Sequence, residues 1–294
     1  MKKINVLSLF DGISCAQIAL ERAGITVGNY YSSEIEDHSI LVTQHNYPKT
    51  IQIGDVRKVR AENLPAIDLL IGGSPCTGFS IMGNMLNFND HRSKLFFEFS
   101  RILNEAKPKY FLLENVNMKR EWQEVITAHV GVSPILINSA TLTAQSRPRL
   151  YWTNIGGVEQ PSDKGVFIKD IVDTHTQYEY IHPGKTVNRV YKKNYVQYDM
   201  NGRGHNSQDQ RAYYLDAKHG CLDVSASSKA KIMEADKRIR KTTRIEAERL
   251  QGVPDGYTSP ISRSKAMGAL GNGFTVDVIA HILSYANFNG GENV

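Results

Sequence analysis

Apolar runs alternate with helix-like segments over the first 152 residues, and this alternation constrains the fold more than any other feature. Seven runs are strand candidates: INVLSLF, VGNYYSSE, IQIGD, AIDLLIGG, KYFLLENV, PILINSATL and RLYWTNI. AIDLLIGG and KYFLLENV are apolar without alternation, as strands buried on both faces are. Segments such as CAQIALERAG and KLFFEFSRILNEA have apolar residues at helical spacing. The pattern predicts an α/β fold with a doubly wound, mostly parallel sheet.

The alternation ends near residue 158. From 158 to 240 the chain is rich in Gly, Asn, Gln, Asp and Tyr and offers only short strand candidates, which predicts a smaller inserted module. Helical patterning returns in RIEAERLQG and in GNGFTVDVIAHILSYANF. We therefore expect a first domain over 1–157, a module over 158–240, and a C-terminal segment over 241–294. The last helix of that segment is expected to return to the first domain.

The net charge of +5 is unevenly spread along the chain. Residues 153–243 hold 15 Lys and Arg against 11 Asp and Glu, together with seven of the 14 tyrosines. Such a segment suits a nucleic-acid surface, although a slightly basic, solvated loop region has the same composition. The cysteines at 15, 76 and 221 form no C-x-x-C pair, so neither a disulfide framework nor a metal site is expected. With no predicted signal peptide or membrane-spanning run, we expect a reducing, cytoplasmic setting and no membrane partner.

Three consecutive strand ends offer polar groups to a nucleoside. The first strand runs into a tight turn at Gly12, and Glu34 follows 22 residues later, near the ~20-residue offset at which a carboxylate binds ribose hydroxyls. Asp55 follows the third strand, where it could accept from an adenine amino group. The G-x-G-x-x-G dinucleotide fingerprint is absent. Each residue alone also fits an ordinary turn or a surface carboxylate, but together they favour bound adenosine.

Reactive side chains follow the later strands. Cys76, preceded by Pro75, lies on a turn at a strand end, where a thiol is exposed and nucleophilic, although a free cysteine is more often a small buried hydrophobe. Glu114 ends the next strand, either as an acid catalyst or as a helix cap. Arg147 and Arg149 alternate in QSRPR and could both reach one cleft, or form a surface charge pair.

The motifs FDGIS, GGSPCTGFS, DHRSKLFFEFSRIL, ENV, QSRPR, RLQGVPDGY and GNGFTV occur in the order and spacing of the DNA (cytosine-5)-methyltransferase family. The chain resembles this family over residues 4–156 and roughly 240–285. The resemblance implies a Rossmann-like methyltransferase sheet, with 158–240 as the target-recognition domain. It implies methyl transfer from S-adenosyl-L-methionine to cytosine C5 in double-stranded DNA, with S-adenosyl-L-homocysteine as product.

The resemblance also implies residue roles. Cys76 would add to C6 of a flipped-out cytosine, Glu114 would act at N3, Arg147 would hold the base and Arg149 would support it. The cofactor contacts that carry over are Phe10, Asp11, Gly12, Glu34, Asp55, Val56, Pro75, Leu95, Asn272 and Thr275. The seven basic residues of 229–244 suit phosphate contacts, with a solvated helix face as the alternative.

Two other functions compete with DNA methylation. A tRNA cytosine-5 methyltransferase would use the same chemistry, but the sizeable module after the arginine motif argues for DNA. A non-catalytic DNA-binding homologue is disfavoured because Cys76, Glu114 and Arg147 are all intact. We expect duplex DNA as partner, a cognate restriction endonuclease as a second candidate, and a prokaryotic or phage enzyme that is nucleoid-associated when bound to DNA. The recognised bases, the oligomeric state and the base that removes the C5 proton do not follow from the sequence.

Overall fold

The chain folds into two compact units in a computed structural model that describes residues 2–74, 94–181, 188–199, 210–223 and 230–289. The first unit comprises Met1–Ile137, Pro148–Pro161 and Val278–Val294, and the second comprises Asn138–Arg147 and Ser162–Asp277. The second unit therefore differs from the predicted module 158–240. It also includes 138–147 and most of the predicted C-terminal segment.

A seven-stranded sheet forms the first unit. Its strands are β1 Ile4–Leu9, β2 Val27–Ser33, β3 Ile51–Gln52, β4 Leu69–Gly73, β5 Tyr110–Val116, β6 Ile135–Asn138 and β7 Pro148–Thr153. The strand order is β3-β2-β1-β4-β5-β7-β6. Neighbours from β3 to β5 are parallel and β7 is antiparallel to β5. The predicted doubly wound, mostly parallel sheet is confirmed.

Seven α-helices lie in the described part of the chain. They are α1 Cys15–Arg22, α2 Asp37–Asn46, α3 Lys94–Ala106, α4 Arg120–Val130, α5 Arg244–Gln251, α6 Arg263–Asn272 and α7 Val276–Leu283. The spacing of Phe96, Phe99 and Ile102 puts all three on one face of α3, and each is fully buried in the cluster that contains Leu113 and Trp152. Burial of each such side chain is worth about 1.5–3 kcal/mol, which fixes α3 on the sheet.

The winding of the first sheet reverses between β1 and β4. From β1 the sheet extends through β2 on one side and through β4 and β5 on the other. Ligands of doubly wound sheets bind beyond the carboxyl ends of the strands at such a reversal. Phe10 follows β1 and Ser74 follows β4 at this reversal, whereas the predicted turn at Pro75 and Cys76 lies outside the described residues.

A second sheet forms within the second unit. Its strands are β8 Tyr180–Ile181, β9 Asn188–Tyr191, β10 Tyr195–Asp199, β11 Arg211–Tyr214, β12 Lys231–Met233 and β13 Ile239–Lys241. The order is β8-β13-β12-β11-β10-β9, with only β11 and β12 parallel. A small core of Val196, Ala212 and Ile239 packs against it.

Residues 230–244 of the basic segment form a β-hairpin followed by the start of α5, not one helix, and Lys229 lies outside the described residues. Arg240 is fully buried and Lys231 is 6% exposed. Arg240 bonds Glu246 at 2.7 and 2.8 Å and also pairs with Glu234. Burial disfavours its charge, but these two carboxylates outweigh burial and raise the pKa of Arg240. The predicted phosphate contacts are therefore wrong for Arg240 and Lys231, which are buried in the second unit.

One stretch, Arg263–Leu283, is long and apolar enough by composition to cross a membrane, which the sequence analysis did not expect. In the structure it is two helices, α6 and α7, separated by residues 273–275. Of its most apolar 18 residues, 72% is buried inside the protein, as is usual for core helices.

Candidate active site

The turn after β1 brings Glu34 to the carboxyl edge of the first sheet. Phe10 and Gly12 both have left-handed backbone conformations, with φ of 56° and 58°, so the chain reverses sharply. The Gly12 amide donates to Glu34 Oε2 at 2.7 Å, and the amides of Ile35 and Glu36 donate to Oε1 at 2.7 and 2.9 Å. Three amides thus fix the Glu34 carboxylate where β1 and β2 end.

The Asp11 side chain, between Phe10 and Gly12 in the sequence, is buried and bonds to interior groups. It is 6% exposed, and the hydroxyls of Tyr30 and Ser32 donate to its carboxylate at 2.6 and 2.9 Å, with a further bond from Ser14. Burial raises the pKa of Asp11, and the hydroxyl bonds offset that rise only in part. Its side chain ties β1 to β2, so any cofactor contact at this position stays a prediction.

Asp55 and Val56 follow β3. The Asp55 carboxylate accepts from the Arg57 amide at 3.0 Å and pairs with the Arg57 guanidinium, and that arginine lowers the pKa of Asp55. Val56 is 5% exposed in the core, and Leu95 packs, partly buried, against the same core. A contact from Asp55 to an adenine amino group would therefore share the carboxylate with Arg57.

The surface over the Gly12 turn suits an adenosine-bearing cofactor. A Cβ built at Gly12 would meet nothing within 4 Å, so the turn is open. The Glu34 carboxylate keeps acceptor capacity, since a carboxylate offers about four lone-pair sites and three amides use three of them. Ile35 is 64% exposed and offers apolar surface to a flat base. Ile35 is not among the residues predicted from the sequence, although an apolar residue directly after a strand-end carboxylate is a pattern that would indicate it.

Glu114 and Arg149 form an ion pair in the first unit, with Arg149 Nε 3.1 Å from Glu114 Oε1. In the antiparallel register Glu114 is opposite Tyr151 and Val116 is opposite Arg149, so the two charged residues are diagonal neighbours on one face. Their side chains are only 12% and 13% exposed. The pair therefore holds the carboxylate in one orientation at the end of β5.

The residue after Glu114 secures the end of β4. Asn115 is 1% exposed, and its Nδ2 donates to Ser74 Oγ at 3.1 Å. In the parallel register Gly73 lies beside Glu114. Pro75 and Cys76 come next in the sequence but lie outside the described residues. Asn115 is not among the predicted site residues, and its partner Ser74 is evident only from the hydrogen bond between them.

Arg147 has different surroundings from Arg149. It belongs to the second unit and is 3% exposed, with its guanidinium bound to main-chain carbonyls of that unit. Gln145 is fully buried beside it and accepts from the Leu222 amide at 2.8 Å. The predicted contact of Arg147 with the base stays a prediction.

The two predicted cofactor residues of the last motif also differ from each other. Asn272 ends α6 and is exposed. Thr275 is 2% exposed, and its hydroxyl donates to Gln251 Oε1 at 2.9 Å. Of the two side chains, only that of Asn272 is open to a ligand.

The description "C-5 cytosine-specific DNA methylase" belongs to a family whose model matches residues 4–286. The chain belongs to this family. It is therefore an enzyme that methylates C5 of cytosine in DNA. The catalytic motifs that the family resemblance implied lie inside the matched range.

Relatives of this methylase include proteins of bacteria and phages. The type II methyltransferase M.NlaX of Neisseria lactamica is 29% identical over 300 residues, covering 95% of this chain and 94% of the relative. The orphan methyltransferase M.SPRI of Bacillus phage SPR is 40% identical over 118 residues, 40% of this chain and 27% of the relative.

Solved structures share the fold of this methylase. The S. pombe Dnmt2 methyltransferase superposes with a TM-score of 0.71 at 17% identity, covering 96% of this chain and 97% of that one. The Entamoeba histolytica methyltransferase EhMeth gives a TM-score of 0.71 at 17% identity, with coverage of 97% and 98%. Both confirm the predicted fold class.

Proposed function

We propose that this methylase acts on double-stranded DNA through a covalent bond between Cys76 and C6 of a flipped-out cytosine. The observation that carries the proposal is the Glu114–Arg149 pair at the end of β5, beside the end of β4. Ser74, two residues before Cys76 in the sequence, accepts a hydrogen bond from Asn115, the residue next to Glu114. This contact supports the proposal that Cys76 and Glu114 act at one site.

The chemistry divides one difficult step into easier ones. The Cys76 thiolate bonds to C6, while Glu114, oriented by Arg149, holds a proton at N3 and draws electron density from the ring. C5 becomes nucleophilic and is methylated; loss of its proton then expels the thiolate and restores the aromatic ring. The target base must leave the duplex stack to reach such a site.

S-adenosyl-L-methionine, when bound, supplies an electrophilic methyl group. We propose that Glu34 binds its ribose hydroxyls and that the open Gly12 turn and Ile35 accommodate the rest of the adenosine. Phe10, Asp11, Asp55, Val56, Pro75, Leu95, Asn272 and Thr275 complete the proposed set. Within it, Asp11, Val56 and Thr275 are buried and would support the site through the main chain or packing.

Transfer of labelled methyl groups to DNA tests the mechanism. We expect Cys76→Ala to abolish transfer, whereas Cys15→Ala, the same truncation at a core cysteine, should retain it. Duplex DNA and tRNA are compared as acceptors, and a preference for tRNA would contradict the assignment to DNA. Undiminished transfer by Cys76→Ala would refute the covalent route.

Bisulfite sequencing of DNA from cells that produce the protein would give the modified positions and their context. Type II relatives support a companion restriction endonuclease as a further partner of a cytoplasmic, nucleoid-associated enzyme. Cell extracts should then cleave unmodified DNA and spare the modified DNA. Equal digestion of both would remove the endonuclease from the proposal.

A further inference from the structure

Arg147 connects two distant chain segments inside the second unit. Its Nη1 donates to the Leu222 carbonyl at 2.8 Å and lies 3.2 Å from Cys221 Sγ. Its Nη2 donates to the carbonyls of Gly271 and Gly273 at 2.9 and 3.1 Å. The two Nη atoms carry four N–H groups, and these four contacts use all of them.

Buried glutamines extend the same connection. Gln145 Nε2 donates to the Leu250 carbonyl at 3.1 Å and to Gln251 Oε1 at 3.2 Å. Gln251 Nε2 donates in turn to the Leu270 carbonyl at 2.5 Å. The Gln145–Arg147 stretch is therefore bonded to residues 221–222, to the end of α5 and to the end of α6.

Close packing makes this arrangement specific. A Cβ at Gly271 would lie 2.2 Å from the main-chain oxygen of Asp223, so only glycine fits there. The rigid, planar guanidinium of Arg147 binds both sides of this contact with four N–H groups, one more than a lysine ammonium carries. Segment 221–223 is thus held from two directions against residues 271–273, where α6 ends and the chain turns, called the 271–273 turn below.

We infer that Arg147 is a positioning residue for the 271–273 turn, and through it for the exposed Asn272, rather than a contact to the target cytosine. The inference rests on the proposed contact of Asn272 with the cofactor. Arg149, whose guanidinium pairs with Glu114 in the first unit, is the matched comparison for this inference. The remaining donor of Arg147, Nε, is a fully buried atom without a hydrogen-bond partner among the described residues.

Two measurements separate positioning from base contact. Affinity for S-adenosyl-L-homocysteine is measured by calorimetry without DNA. Covalent trapping is measured with saturating S-adenosyl-L-methionine on an amplified duplex in which every cytosine carries 5-fluorine. We expect Arg147→Gln to raise the Kd for S-adenosyl-L-homocysteine about ten- to a hundredfold, the scale of one or two lost charge-assisted bonds, and to retain trapping. Arg149→Gln should leave the Kd for S-adenosyl-L-homocysteine unchanged and lose trapping.

A second variant perturbs the same contact without touching the arginine. Gly271→Ala should weaken S-adenosyl-L-homocysteine binding in the same way, whereas Gly268→Ala, one turn earlier on α6, should not. The double variant Arg147→Gln/Gly271→Ala should bind S-adenosyl-L-homocysteine only slightly less tightly than the single variant with the lower affinity, because both changes break the same contact. Circular dichroism and thermal midpoints establish that each variant is folded.

The outcomes are distinct. An unchanged Kd with lost trapping in Arg147→Gln would overturn the inference and return Arg147 to the base. Additive losses in the double variant, in step with lowered thermal midpoints, would also overturn it, since they indicate general destabilisation. A wild-type protein that binds no S-adenosyl-L-homocysteine and transfers no methyl group would instead refute the proposed function.

Discussion

Protonation of His219 should destabilise the second unit in mild acid. The ring is 3% exposed, lies 4.7 Å from the Tyr213 ring, and has Nδ1 2.7 Å from the Gly220 carbonyl oxygen. Burial lowers the pKa of His219 from 6.5 to about 4. Between those values the unfolded state binds the proton and the folded state does not, so stability falls as pH falls below 6.5.

The size of the effect follows from that difference. Each pH unit between the two pKa values changes the free energy of unfolding by about 1.4 kcal/mol. Protonation of His219 alone therefore lowers that free energy by about 2 kcal/mol between pH 7 and 5. By pH 4 the loss of stability reaches about 3 kcal/mol, close to the whole contribution of the pKa difference of His219. This is a large fraction of the 5–15 kcal/mol that typically holds a domain folded.

Hydrogen exchange measured by mass spectrometry can follow the second unit separately. Both tryptophans, Trp122 and Trp152, belong to the first unit, so their fluorescence would not report on the second. Protection of peptides from 210–223 and 230–243, corrected for intrinsic exchange, gives the opening free energy at each pH. His219→Phe should remove about 2 kcal/mol of the pH 7 to 5 difference, while His45→Phe, at an exposed histidine, should keep it. An unchanged pH dependence in His219→Phe would refute the reasoning.

Two further predictions follow from buried and exposed charges. Arg240→Met should destabilise the second unit by about 3–5 kcal/mol because it leaves the buried Glu246 carboxylate unpaired, whereas Lys241→Met, at a partly exposed ion pair, should cost at most about 1 kcal/mol. Urea unfolding followed by circular dichroism measures both, and equal losses would contradict the burial argument. Glu34→Ala should weaken S-adenosyl-L-homocysteine binding about tenfold or more, and Asp55→Asn less, because Arg57 already occupies that carboxylate. Calorimetry ranks the two, and the opposite order would show that Asp55 is the stronger ligand.

The sequence predicted local features well. All seven strand candidates of the first 152 residues contribute strands to the first sheet. Glu34 lies beside the Gly12 turn, as the 22-residue offset indicated. These features depend on apolar periodicity and on turns, both of which are read from neighbouring residues.

Burial of charged side chains was not predictable in the same way. Arg240 looked like a phosphate ligand among seven basic residues, yet its partner Glu246 and the strand β13 place it in the interior. Asp11 looked like a ligand and is bonded by three hydroxyls from other positions. A formal charge in a sequence does not reveal whether the fold supplies a counter-charge, and that decides between solvent and core.

The sequence by itself determined the fold class and membership of the methylase family, and it predicted that the site lies at the carboxyl edge of the sheet. Only the tertiary structure decided which arginine of QSRPR pairs with Glu114 and which binds carbonyls of the second unit. The physical reason is distance along the chain: Arg147 meets partners 75 and 124 residues away. Such contacts depend on strand register and on close packing at Gly271, neither of which a local pattern encodes.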